Sequence, residues 1–239
     1  VLETNALAGM ANKLGVQLGG AGFNAVANSG MRGDVVGIPV RPGVGVDPDG
    51  VKAERGRRTW NLDEHRKTLL VTGGSQGAVR INEALAGAIE RLTADGYQVL
   101  HAYGRKNDAP APHEGYTALP YIDDMEAAYA VADLVVFRSG AMTVAENSAA
   151  GLPAIYVPLP HGNGEQGLNS AHLVSTGAAV RIDDAALTSD TLYTAVAGIL
   201  GDDERRAHMR SALERSGAGN VAEGLAARIA RAGGVKPRL

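Results

Sequence analysis

Short apolar runs and helical stripes take turns along most of the chain. Short, mostly apolar segments fall at 68–72, 98–103, 117–119, 134–137, 154–157 and 178–182, with helical patterns at 78–92, 125–131, 142–150 and 168–175 between most of them. Runs without polar alternation suit strands buried on both faces, and strands separated by helices predict a parallel sheet covered on both sides. The expected fold class is α/β, with a Rossmann-like parallel sheet within residues 67–232. Toward the end, Leu192, Val196, Ile199 and Leu200 share one helical face, with Ser189 or Asp190 as the expected N-cap. Residues 207–213 and then Val221, Leu225 and Ile229 continue the helical pattern until Gly233-Gly234 stops it, leaving a tail at 233–239.

The opening "VLETNALAGMANKLG" reads as the end of a strand, a turn and a helix. A strand at the very start has nothing before it to pair with, so the expectation is that a preceding piece is missing and that 1–37 is a remnant. Residues 38–66 are rich in Pro, Gly and charge, and read as a hinge or linker with a short preliminary segment rather than core.

Composition narrows the function more than the fold. Hydrophobic residues make up 45% of the 239 positions but aromatics only 4%, so the core must be built from Ala, Val, Leu and Ile. The formal charge of -3, with no long basic block, excludes nucleic acid as the principal partner. The absence of cysteine excludes disulfides, thiolate metal sites and a Cys nucleophile. No apolar run approaches the ~18–20 residues of a membrane span, so any membrane contact is expected to be peripheral.

The chemistry concentrates where strands end. After the run at 68–72, Gly73-Gly74-Ser75-Gln76-Gly77-Ala78 leads into a helix. Ligands of open α/β sheets bind beyond the carboxyl ends of the strands, and glycines there let an anion approach backbone N–H groups at a helix start. The stretch is neither a P-loop nor GxGxxG, and a tight turn without a ligand is the alternative. Ser139-Gly140-Ala141 repeats the arrangement after 134–137. Thr143 and Glu146 stand in capping-box spacing; alternatively, Glu146 accepts hydrogen bonds from ribose hydroxyls. Gln166 and Asn169 either reach sugar hydroxyls or cap their helix. Asp47-Pro48-Asp49 spells DxD but sits in a Pro/Gly linker and reads as a turn. The six histidines lack metal spacing, and His161 alone falls at the mouth of the sheet, where surface or loop duty is expected. Neither metal nor other cofactor is expected.

Five segments in one order, "NALAGMANK" (5–13), "VVGIPVR" (35–41), "LLVTGGSQGA" (69–78), "YIDDMEAAYAVADLVVFRSGAMTVAE" (121–146) and "AAGLPAIYVPLPHGNGEQGLNSAHL" (149–173), resemble the MurG family. These bacterial enzymes transfer N-acetylglucosamine from UDP-N-acetylglucosamine to lipid I, forming lipid II for peptidoglycan. The resemblance covers nearly the whole chain and implies a GT-B fold, of which 67–232 would be the C-terminal donor half and 1–37 the remnant of the acceptor half. It implies that Ser75 and neighbouring N–H groups meet the diphosphate, that Ile122 pairs with uracil through its backbone, and that Ala141, Met142, Thr143, Val144, Ala145 and Glu146 hold ribose and diphosphate. Gln166 would reach the sugar, and Asn5 and Arg41 would contribute from the hinge side. The implied partners are UDP-N-acetylglucosamine, lipid I and the cytoplasmic membrane surface.

Two departures qualify this. The family's "GGTGGH" turn, whose His is the suspected base, has no counterpart here, and its "HE.N" motif reads Leu2-Glu3-Thr4-Asn5. No catalytic residue is therefore assigned. A non-catalytic UDP-sugar-binding remnant, another GT-B enzyme such as a UDP-N-acetylglucosamine 2-epimerase, and a structural interaction module are the alternatives.

Overall fold

The computed structural model describes residues 1–74, 77–160, 164–216 and 221–234. Its centre is a six-stranded parallel sheet formed by β4 (Thr68–Thr72), β5 (Gln98–Ala102), β6 (Tyr116–Leu119), β7 (Leu134–Phe137), β8 (Ala154–Tyr156) and β9 (Ala179–Arg181), in the order β6-β5-β4-β7-β8-β9. The chain builds outward from β4 in one direction and then from β7 in the other. The two central strands therefore feed crossovers that leave in opposite directions, which opens a crevice at their carboxyl ends. This is the α/β Rossmann-like class that the apolar runs predict.

Alternation along each strand supplies two cores. Leu69, Val71, Val99, Leu134, Val136 and Ile155 face α3 (Val79–Ala94) and α7 (Ser189–Leu200), which pack on each other. Leu70, Leu100, Val135, Phe137 and Tyr156 face the opposite way, toward α4 (Met125–Val131), α5 (Ala141–Ala149), α6 (Glu165–Ser175) and α8 (Asp203–Arg215). Aliphatic residues dominate both layers, although Tyr156 and Phe137 are the largest of the fully buried side chains.

A smaller sheet lies in the first part of the chain. It has three two-residue parallel strands, β1 (Leu2–Glu3), β2 (Phe23–Asn24) and β3 (Asp34–Val35), with α1 (Met10–Gln17) between the first two. The last helix, α9 (Ala222–Ala232), returns to this sheet, where Arg228 Nη1 donates to Asp34 Oδ2 at 2.9 Å.

Two expectations are corrected. The stretch 38–66 is not merely a linker, because α2 (Val51–Trp60) forms within it and buries Ala53, Gly56 and Trp60. A Cβ on Gly56 would lie 2.7 Å from Val131 Cγ1 and 2.9 Å from the Ala127 carbonyl, so α2 sits directly on α4. Its inward stripe is only three residues among many charges, and one of the three is glycine, which is why hydropathy misses it. The N-cap of α7 is Thr188, one residue earlier than expected; its hydroxyl accepts from Thr191 N, and Thr191 Oγ1 accepts from Thr188 N.

Candidate functional site

The crevice between the ends of β4 and β7 is a cleft lined by Thr72, Gly73, Gly74, Ile122, Tyr129, Arg138, Gly140, Thr143, Glu146, Gln166 and, from the segment following β3, Arg41. On one side β4 runs into the glycine turn. Thr72 Oγ1 accepts from Gly74 N at 3.1 Å, and Gly77 N donates back to Gly74 O at 2.9 Å. Gly77 has φ +74, and a Cβ there would meet the Tyr103 carbonyl at 2.3 Å, so no other residue fits without displacement. Ser75 and Gln76 lie outside the described residues.

On the other side Arg138, Ser139 and Gly140 join β7 to α5. Ser139 is fully buried, and its hydroxyl donates to the Gln166 carbonyl at 2.8 Å, tying this turn to α6. Neither α3 nor α5 has a side-chain N-cap or an acidic residue in its first turn. Among the described residues no anion of the protein meets their first N–H groups or the positive ends of the two helix dipoles.

The capping-box alternative for Thr143 and Glu146 does not hold. The N-cap of α5 is Gly140, so both residues lie inside the helix. Three-residue spacing puts Gly140, Thr143 and Glu146 on one face, toward the cleft. Glu146 is held there by two donors: Arg41 Nε to Oε1 at 3.1 Å and the Tyr129 hydroxyl to Oε2 at 3.2 Å. Burial, reinforced by the Glu146 carboxylate, pushes the Tyr129 phenol far above its ordinary pKa, so it stays a donor.

Of the residues picked from the sequence, Arg41, Ile122, Thr143, Glu146 and Gln166 meet in this cleft. Ile122 is buried, and among the described residues no recorded hydrogen bond engages its N–H or C=O. Gln166 Oε1 accepts from Leu159 N at 3.0 Å, which keeps the side chain beside the β8 end rather than capping α6. Ala141, Val144 and Ala145 instead line a separate apolar groove on the other face of α5, with Thr4, Ala6, Gly37, Ile38 and Val40. Met142 is exposed and lines neither. Asn5 also lines neither; its N and Nδ2 donate to Glu3 Oε1 at 2.9 and 3.4 Å. Asn169 caps nothing: its Oδ1 accepts from Ala6 N at 2.8 Å while Nδ2 donates to Ser139 O at 3.2 Å, bridging the two sheets.

Sequence reasoning missed Tyr129 and Arg138. Arg138 directly follows the apolar run at 134–137, so the strand-end rule that selected Ser139 could have selected it. Tyr129 lies in a helix and carried no such signal. Behind the glycine turn, buried His101 forms a further unread network, with Nδ1 2.6 Å from Tyr116 Oη and Nε2 3.1 Å from Asn82 Oδ1. Asn82 Nδ2 donates to the same Tyr103 carbonyl that touches Gly77, so Asn82 Oδ1 must accept and His101 is protonated on Nε2.

Among the described residues no group of three or more His, Asp or Glu side chains has the geometry of a metal site. The Asp47 carboxylate accepts from Ala53 N at 2.8 Å and Lys52 N at 3.3 Å, so it holds the start of α2, in keeping with its reading as a turn. His161 lies outside the described residues.

Residues 68–227 match the glycosyltransferase family 28 C-terminal domain. The chain is similar to the UDP-N-acetylglucosamine--N-acetylmuramyl-(pentapeptide) pyrophosphoryl-undecaprenol N-acetylglucosamine transferase of Corynebacterium glutamicum (strain R), with 57% identity over 230 residues, 96% of this chain and 65% of the relative. The protein of that name from Corynebacterium diphtheriae is 58% identical over 227 residues, 95% of this chain and 63% of its own length. Among solved structures it is similar to MurG of Acinetobacter baumannii, with TM-score 0.74 and 26% identity, covering 96% of this chain and 65% of that one. The chain thus spans somewhat under two thirds of the length of these relatives.

Proposed function

The chain belongs to glycosyltransferase family 28 through its C-terminal domain, and from that premise we propose that it binds UDP-N-acetylglucosamine in the cleft between β4 and β7. The reaction it serves is transfer of N-acetylglucosamine, with inversion, to the 4-hydroxyl of lipid I, giving lipid II for peptidoglycan. One observation carries the reading: a glycine turn, two uncapped helix starts and a fixed carboxylate converge on a single crevice at the strand-order switch. Uracil would pair with the unengaged backbone of Ile122, the ribose hydroxyls would donate to Glu146, and the diphosphate would lie against the glycine turn and the start of α5.

In the transfer, the acceptor oxygen bonds to the anomeric carbon as its hydroxyl proton passes to a base, and UDP departs from the opposite face with the electron pair of the broken bond. Negative charge then grows on the diphosphate, where preorganised N–H groups stabilise it without rearranging. The acceptor's undecaprenyl chain places the reaction at the cytoplasmic membrane surface. No helix among the described residues is long and apolar enough to cross a membrane.

UDP should raise the thermal midpoint of the chain without added divalent ion. Glu146→Ala should remove most of that gain, since a charge-assisted hydrogen bond contributes about 1.5–3 kcal/mol, roughly 10- to 150-fold in affinity. Equal protection by CMP or ADP would overturn the uracil assignment. A second reading, donor binding without transfer, is favoured by one feature of the cleft. Its only described carboxylate is Glu146, already engaged by Arg41 and Tyr129, and no described histidine lines it. Labelled donor supplied with lipid I separates the two readings: bound label without lipid II supports the second.

A further inference from the structure

We propose that Arg138 is a diphosphate-binding residue, a fixed cation facing the charged tail of the donor; the assignment rests on the donor reading above. Arg138 leaves the end of β7 and lines the cleft beside Gly73, Gly74 and Gly140. Its side chain is only 13% exposed and is immobilised through one nitrogen. Nη1 donates to Val157 O at 3.2 Å, Pro158 O at 3.1 Å and Asp184 Oδ1 at 2.5 Å. Nε and Nη2 have no acceptor among the described residues, and Nε is buried. A guanidinium carries five N–H donors in a rigid fork, so a side chain pinned by one nitrogen keeps most of its donors uncommitted.

The local charge count points the same way. Asp184, itself buried, is shared with Arg80, whose Nε lies 3.1 Å from Oδ2. Two guanidiniums against one carboxylate leave one positive charge uncompensated. At the other end of the cleft Arg41 and Glu146 cancel each other. The neighbouring Asp183 is engaged by Arg181, through Nη2 at 2.6 Å. Of the two guanidiniums Arg138 lines the cleft, beside Gly73, Gly74 and Gly140, and Arg80 does not. Arg80 lies in the first turn of α3 and Arg138 just ahead of α5. Cations at the positive ends of helix dipoles are unfavourable on their own. An anion lying near them is attracted by each cation and each helix end, which offsets that repulsion.

The test compares UDP with UMP by calorimetry on the full chain. UMP lacks the β-phosphate, so a residue that contacts the diphosphate affects the two ligands differently. Arg138→Gln should weaken UDP binding about 10- to 100-fold, on the scale of one charge-assisted contact, and UMP binding severalfold at most. Equal weakening of both would mean that Arg138 only staples β7 to β8, and unchanged UDP affinity would reject any role. Arg80→Gln is half-exposed, pins no strand and guards against misfolding of the first variant. It should weaken UDP about threefold and leave UMP alone; no change would show that the surplus charge is not felt in the cleft. A wild-type chain that binds neither nucleotide would overturn the donor reading and this assignment together.

Discussion

Glu146 and His101 show two ways in which single side chains escape or reward sequence reading. Glu146 was legible because a carboxylate beyond a strand end has few structural uses, although its spacing with Thr143 offered a false one. His101 was not legible, since a histidine within an apolar run looks like any other interior position. Its burial lowers the ring's pKa from 6.5 to about 4. Between those values the unfolded chain takes up a proton that the folded chain refuses, so stability falls as pH drops from about 6.5 toward 4. A shift of this size corresponds to at most about 3 kcal/mol. His101→Gln should remove that portion of the acid slope in denaturant melts. Parallel pH profiles for the two proteins would show that the ring does not titrate in this way.

At the scale of elements, the six central strands were readable because each is a short, mostly apolar run without helical periodicity. The order in which they pair was not, because period and polarity are the same wherever a buried strand sits. β2 and β3 went unread, since two residues carry no periodicity. The glycine turn was legible in composition, but its shape depends on contacts distant in sequence. Gly77 is confined by Tyr103 O and Asn107 Nδ2, 2.3 and 2.2 Å from where a Cβ would stand, as well as by its φ of +74. Gly77→Ala should therefore destabilise the chain by about 1–3 kcal/mol and weaken UDP, through displacement of the β4–α3 turn. Chemical denaturation with nucleotide titration measures both, and a variant matching wild type in both would show that the turn yields freely.

Across the whole molecule, polar contacts that tie the first part of the chain to the later helices include, among the described residues, Asn169 to Ala6 and Asn5, Arg41 to Glu146, and Arg228 of α9 to Asp34. None could be foreseen, because each joins residues more than a hundred positions apart. Asn169→Ala would leave the Ala6 N–H without its acceptor, a loss of about 1–3 kcal/mol for a part-buried donor. Hydrogen exchange should then quicken at Ala6 and across 1–35 while the β4–β7 amides keep their protection. Uniform quickening would mean that the two sheets open only together.

Helix α5 serves two neighbours with one turn of the chain, the cleft on the side of Thr143 and Glu146 and the apolar groove on the side of Val144 and Ala145. Each residue added to a helix rotates everything beyond it by about 100°. A single codon gained between Gly140 and Thr143 would swing the acidic group out of the crevice and carry Ala145 into its place, and one lost would bring Asn147 there. The segment should thus accept exchanges of side chain far more readily than any change in its length.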